Sequence, residues 1–392
     1  MNPEILNPEV QHYITDNLET DTAKLLFKGS PFSNVSIQEL VIQIISKKKS
    51  QTKLPNWFKT KNIYFPPKVN IEQTSSEITA EYKSSLVSGN SLLDITGGFG
   101  VDCYYFSKKI NTVTHCEINT KLSTIVNNNY QQLKINNIKT IIGDGIDFLK
   151  HSKKIYDWIY IDPSRRGDQN QKVFLLKDCL PNIPENLELL FEKTNNLLIK
   201  NSPILDISKT IEELMFVKEV HIVAINNDVK ELLFILEKNY NGDILTKTIN
   251  FNKNNIQHFD FQLNKEKKSN YSEPQKYIYE PNSAILKSGG FHEISHQLKI
   301  EKLHQHSHLY TSNELIKFPG RRFVINNICS YNKKEILKHL KGKKANITTR
   351  NFPETVAQIR KKTKIKDGGS NYLFFTTVNN NNLKVLICSQ VF

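Results

Sequence analysis

The stretch Ser91-Leu92-Leu93-Asp94-Ile95-Thr96-Gly97-Gly98-Phe99-Gly100 decides how this chain is read. A short apolar run ends in an acid, and a glycine-rich turn follows before the next apolar segment. Glycines in such a turn let the backbone approach a ligand closely, and a helix that follows presents free N–H groups. Gly98-Phe99-Gly100 starts like a dinucleotide fingerprint, but the third glycine position holds Cys103, which argues against a nicotinamide site. Alone, the loop says only that something nucleotide-like binds there.

Working outward, apolar β-favouring runs recur at 91–95, 111–116, 138–142, 156–161, 196–199 and 219–225, separated by stretches of helical character. That alternation predicts an α/β fold with a mostly parallel, doubly wound sheet covered on both faces. Ligands of such sheets bind outside the carboxyl ends of the strands, so the residues just after each strand matter most. Those residues are Asp94 with Thr96, then Glu117, then Gly143-Asp144-Gly145, then Asp162-Pro163-Ser164-Arg165-Arg166. A carboxylate in the place of Glu117 can accept both hydroxyls of a ribose. Each acid alone is as readily a helix N-cap. Four at successive strand ends point to one pocket. Lys200 closes the run Leu197-Leu198-Ile199 at the same edge, where an ion-paired surface lysine is the plain alternative.

Upstream, residues 1–85 read as a helical region. Ser36-Ile37-Gln38-Glu39 is a capping-box signature, and Pro55, Pro66 and Pro67 mark a connecting segment. A further helix is expected over Ser75 to Lys83. Downstream of 245 the pattern changes. A polar linker spans 265–274, a short mixed piece runs to about 320, and the end carries a lysine-rich helix near 333–343 and strands near 371–378 and 383–388. The sequence has no apolar run long enough for a membrane span, and the acidic start lacks the regions of a signal peptide, so a cytoplasmic protein without membrane partners is expected. Five cysteines without a close pair read as reduced, buried thiols. His304, His306 and His308 alternate and would share a face if on a strand, yet no acid or cysteine joins them, so no metal is expected.

Net charge is +14, and from Lys317 to Phe392 16 Lys and Arg face three acids, leaving +13 in the last fifth of the chain. A polyanion-facing module follows from that asymmetry. Arg350, Arg360, Lys361, Lys362, Lys364 and Lys366 are the candidates for RNA phosphates, with Phe352 and Tyr372 among them either stacking groups or core.

The order Asp-x-Thr-Gly-Gly-x-Gly, Glu117, Asp144, Asp162-Pro163 resembles the class I methyltransferases that use S-adenosylmethionine. The resemblance implies a Rossmann-like domain over 86–245. Asp94, Thr96, Gly97, Gly98 and Gly100 would form the donor loop, Glu117 would hold the ribose and Asp144 would face the adenine amine. Asp162, Pro163, Arg165 and Lys200 would border the transfer site. Arg165 stands where base-amino methylases often carry an aromatic, which points away from an exocyclic amine. The segments at 75–83, 200–206 and 345–353 and the ending Lys366-Asp367-Gly368-Gly369 are similar to a bacterial group with a C-terminal THUMP-like domain. The likeness implies small α+β domains, a ferredoxin-like piece at 275–320 and the THUMP-like, RNA-binding piece at 321–392. Ribose 2′-O methyltransferases carry a Lys-Asp-Lys-Glu tetrad, and Lys83, Asp162, Lys200 and Glu219 occupy comparable places. The expectation is therefore an S-adenosylmethionine-dependent methyltransferase of structured RNA, tRNA or rRNA. The alternatives are a methyltransferase of a protein or small molecule, and a non-enzymatic RNA-binding protein with a vestigial donor pocket.

Overall fold

The computed structural model describes residues 1–165, 175–253, 255–263 and 267–392, with Arg165, Lys341 and Asn380 described by backbone only. Arg166, the Arg165 side chain and the start of the 265–274 linker thus lie outside the described residues. Two compact units divide the chain: Met1–Lys218 with Leu233–Gly242, and Glu219–Leu232 with Asp243–Phe392. This division falls elsewhere than the expected boundary at 245.

The first unit opens on helices. In α1 (Ile37–Lys53) the capping box is formed by Ser36 and Glu39, and Leu40, Val41 and Ile44 face inward. Helix α2 (Glu77–Ser84) is capped by the Ser76 hydroxyl, which accepts from the Thr79 N–H. Then strand and helix alternate: β1 (Ser91–Asp94), α3 (Val101–Phe106), β2 (Thr112–Glu117), α4 (Thr120–Gln132), β3 (Ile138–Ile142), α5 (Gly145–His151), β4 (Trp158–Ile161), α6 (Ile183–Lys193) and β5 (Asn196–Asn201). Neighbouring strands run parallel in the order β5-β4-β1-β2-β3. Leu92, Leu93, Ile159, Ile161, Leu197, Leu198 and Ile199 are wholly buried, as strands covered on both faces require. The chain winds outward from β1 to β3 and returns to the other side of β1 with β4. The order reverses between β1 and β4, and in such sheets ligands bind at the strands' carboxyl ends at that point.

In the second unit, residues 219–225 pair in parallel with β8 (Leu245–Phe251), and β8 pairs antiparallel with β9 (Ile256–Gln262). These follow β6 (Val217–Ile225) and β7 (Asp228–Glu237), strands at or across the division between the units. The remaining strands form a seven-stranded sheet that includes β10 (Tyr277–Pro281), β12 (Gly320–Cys329), β13 (Asn346–Arg350), β14 (Asn371–Val378) and β15 (Asn382–Val391), with β11 (Tyr310–Ser312) beside β10. Its pairs are antiparallel except β13 with β14. One core gathers Tyr279, Ile285, Ile294, Tyr310 and Phe318, and another gathers Ile336, Ile359, Leu373, Phe375 and Val385. Phe352 packs on that second core against Tyr331 and Phe375, and Tyr372 lies against Phe323. Both aromatics are half-buried and packed against these cores. All five cysteines are buried, and none of them is in a disulfide. Among the described residues no helix is long and apolar enough to cross a membrane.

Candidate functional site

Glycine gives the donor-type loop its shape, but each glycine does so differently. Gly97 packs downward: a Cβ there would sit 2.3 Å from the His115 Nε2. Gly100 has φ +75° and its Cβ would meet the Tyr130 hydroxyl at 2.2 Å, while that hydroxyl donates to the Gly100 carbonyl (2.9 Å). Gly98, at φ +56°, has only the Thr96 carbonyl near it, at 3.7 Å, and faces open space. A side chain is excluded beneath the loop at two positions, and at the third the backbone is free to meet a ligand.

Asp94 is buried and organises the loop from inside. Its Oδ1 accepts from the Thr96 N–H (2.8 Å) and hydroxyl (3.1 Å), and its Oδ2 accepts from the Cys103 thiol (3.2 Å). Burial pushes its carboxyl up to about 7 against those hydrogen bonds. His115, beneath the loop, is wholly buried, and burial pushes it down to about 4 against contacts with the Gly98 and Gly97 backbone, a neutral packing ring.

Glu117 straddles two turns. Its Oε2 accepts from the Gly98 N–H (2.8 Å) and its Oε1 from the Asn119 N–H (2.7 Å). A carboxylate has about four acceptor positions, so capacity for hydroxyl donors is left. Asp144 does cap a helix: Oδ1 accepts from the Ile146 (2.8 Å) and Asp147 (3.0 Å) N–H groups, and the residue stays exposed. Two isoleucines that the sequence reading passed over flank these acids. Ile118, after Glu117, is 68% exposed, and Ile142, before Gly143-Asp144, is 55% exposed. Ile118 follows the acid that ends β2, whereas Ile142 is the last residue of β3, and both are apolar residues exposed beside a strand-end acid.

Where the strand order reverses, the segments that end β1, β4 and β5 meet. The Asp162 N–H donates to the Thr96 hydroxyl (2.7 Å), and the Lys200 ammonium donates to Asp162 Oδ2 (2.5 Å). Register explains the second contact, because Ile161 pairs with Ile199 and puts Asp162 and Lys200 at adjacent strand ends. Burial raises the Asp162 carboxyl above its ordinary value, opposed by the charges of Lys200 and then Lys83. Pro163 follows Asp162 at the rim, half-buried.

The four residues compared with a ribose-methylating tetrad are placed differently from one another. Asp162 and Lys200 come together. Lys83 is buried against Asp102 (3.0 Å). Glu219 is bonded to His221 (2.9 Å) and Lys247 (2.9 Å), and the His221 hydrogen bond holds it down at about 2.

In the second unit the basic candidates separate into two kinds. Arg350 is ion-paired with the buried Glu280 (2.7 Å), which Arg321 also holds. Arg360 pairs with Asp367 and donates to the Ile365 (3.1 Å) and Ala345 (3.2 Å) carbonyls. Lys362 pairs with Glu354 (2.7 Å). Lys361, Lys364 and Lys366 are exposed and in no ion pair among the described residues. The histidines lie in a turn rather than on a strand. His304 bonds to Asn351 and Asn381, and His308 is stacked on Phe291 at 3.6 Å, so the three share no face.

Comparison with known proteins adds to this geometry. Residues 277–319 match a ferredoxin-like domain and residues 320–390 a THUMP domain-like family. Across 91 residues the chain is 31% identical to an uncharacterized RNA methyltransferase of Mycoplasma mobile, covering 23% of this chain and 25% of that protein. The chain thus spans about a quarter of the length of the curated relative it matches. The crystal structure of a candidate methyltransferase from Porphyromonas gingivalis W83 superposes with a TM-score of 0.89 at 28% identity, over 99% of this chain and 98% of that one.

Proposed function

We propose that this chain, a member of the class I S-adenosylmethionine-dependent methyltransferases of the group with a ferredoxin-like piece and a C-terminal THUMP-like domain, methylates structured RNA, tRNA or rRNA. The observation that carries the reading is the convergence of Thr96, Asp162 and Lys200 where the strand order reverses, beside a loop whose Gly98 backbone is open and bonded to Glu117.

The residues present suit a nucleoside-bearing donor. Glu117 keeps acceptor capacity for ribose hydroxyls, the free oxygen of Asp144 suits an exocyclic amine, and exposed Ile118 offers an apolar face for a purine. When bound, S-adenosylmethionine supplies an electrophilic methyl: the acceptor lone pair forms the new bond to carbon as the carbon–sulfur pair leaves with a neutral thioether. Asp162 takes the acceptor proton and passes it to solvent, and its raised proton affinity suits that task. Lys200 fixes the carboxylate, and Pro163 borders the acceptor. Most of the acceleration comes from orientation.

RNA as the acceptor is supported by the +13 of the C-terminal fifth and by the THUMP-like match. Lys361, Lys364 and Lys366 are the phosphate contacts, with Lys362 beside them. Arg350 and Arg360 hold the domain together.

Calorimetry with S-adenosylmethionine tests the donor site, and absent binding overturns the enzyme in favour of an RNA-binding protein. Modification maps of tRNA and rRNA with and without the gene test the acceptor. One methylated nucleotide lost in the deletion is expected. A complete set of unchanged maps redirects the reading to a protein or small-molecule acceptor, and a lost base methyl with every 2′-O site intact removes the tetrad.

A further inference from the structure

Behind Asp162 lies a second set of charges that the donor and acceptor roles leave unused. The Lys83 side chain is 0% exposed, and its ammonium reaches Asp102 Oδ1 (3.0 Å) and the Ser75 hydroxyl (2.6 Å). The other Asp102 oxygen accepts from the hydroxyls of Ser75 (2.8 Å) and Tyr160 (2.9 Å). Tyr160 lies on β4 two residues before Asp162, so the strand that delivers the site carboxylate also carries the hydroxyl that anchors the hidden one. Lys83 belongs to the helix before β1 and Asp102 to the helix after the glycine loop.

We propose that Lys83, Asp102 and Ser75 are positioning residues: a buried ion-pair network that backs the Asp162–Lys200 pair and sets how readily Asp162 takes a proton. The proposal rests on the reading of Asp162 as the group at the acceptor. A buried ion pair stabilises a fold poorly, because removing two charges from water costs about as much as their attraction returns. Retaining one directly behind a second pair is better explained by what it does to that pair. The charged groups facing Asp162 are Lys200, Lys83 and Asp102, and those facing Asp102 are Lys83 and Lys200, with Asp94 nearby on β1. Each carboxylate therefore responds to both lysines. Burial opposes ionisation of Asp102, yet the lysines hold it below its ordinary value, so it is a fixed anion at working pH.

The test is a carbon-13 carboxylate NMR titration of the full-length protein, with the Asp162 signal assigned by its loss in Asp162→Asn. Removing the anion in Asp102→Asn is expected to lower the Asp162 titration point by about one pH unit. Removing the cation in Lys83→Met is expected to raise it by about as much. The double variant, which loses both charges, should return close to the parent. Should the single variants not fold, Tyr160→Phe removes only one hydroxyl from Asp102, leaves that anion less shielded, and gives a smaller upward shift. An Asp162 signal that titrates at one pH in every folded variant, while melting temperatures fall, overturns the proposal and leaves the network as a staple between two helices. In parallel, methyl transfer from tritiated S-adenosylmethionine to total RNA of a gene-deletion strain is followed against pH. Its acid limb should move in the same opposite directions. If the parent protein transfers no methyl to that RNA, the functional reading fails, and the NMR titration still decides the network.

Discussion

In the first unit Lys83 and Lys200 lie inside, each held on a carboxylate, whereas in the second unit Lys361, Lys364 and Lys366 stand in solvent at the end of one helix and just beyond it. Both sets are lysines among lysines in the sequence. Arg350 and Arg360 show that position along the chain does not separate the two kinds, since they belong to the basic tail yet are engaged with Glu280, Asp367 and backbone carbonyls. A count of charge identifies a partner class, and only the pairing partners say which cations are available to it.

The widest break in that comparison is expected from neutralising the free set. Lys361→Ala, Lys364→Ala and Lys366→Ala together should weaken RNA binding by about a hundredfold and flatten the slope of log affinity against log salt by roughly two to three. Arg350→Ala should instead lower the melting temperature, by the equivalent of about 1–3 kcal/mol, with the salt slope nearly unchanged. Filter binding at several salt concentrations beside thermal melts reads both, and an unchanged slope in the triple variant removes these lysines from the interface.

A smaller effect sharpens the description of the loop. Gly97→Ala should cost about 1–3 kcal/mol, because its Cβ would meet the His115 ring at 2.3 Å. Gly97→Ala combined with His115→Ala should recover much of that in denaturant titrations. Gly98→Ala has space, but at φ +56° a Cβ strains the backbone, so it should cost about 1 kcal/mol of stability as well as donor affinity.

The last prediction concerns pH. Asp94 holds a proton in the folded chain up to about 7, whereas unfolded it ionises near 3.8, so stability falls as pH rises through that window. His115 has the opposite sign: unfolded it takes a proton below 6.5 and folded only near 4, so stability falls as pH drops. The two offset each other in the parent. Asp94→Asn should leave the His115 limb alone, and melts between pH 4 and 7 should then show stability rising with pH.

Much of the first unit was legible because a parallel sheet repeats one signal. Each apolar run ended at or within a few residues of the observed strand, and Ser36 and Glu39 cap their helix as the spacing implied. The strand Asp228–Glu237 was not legible. Leu232 to Leu236 is one continuous apolar run, which periodicity cannot assign to strand or helix. Asp102 was also missed, since an acid in a helix's first turn is unremarkable in sequence, and its partners Lys83, Ser75 and Tyr160 lie 19 to 58 residues away. The strand-end acids were legible by position, but the contacts they make within the chain were not. Asp94 faces into the protein and Asp144 caps a helix, roles that depend on neighbours the linear order does not show.

One feature of the chain path bears on how the protein is made. The first unit includes Leu233–Gly242, although residues 219–232 belong to the other unit. As the chain leaves the ribosome, the first 218 residues therefore wait for a later segment, part of which flanks β5 in the sheet, before their own unit is complete. Until then the outer side of β5 is an unpaired edge, open to wrong partners. A slow codon run far enough beyond residue 242 for that segment to have left the ribosomal tunnel would give the sheet time to close, whereas an earlier pause, with residues 233–242 still inside, would prolong the exposed state.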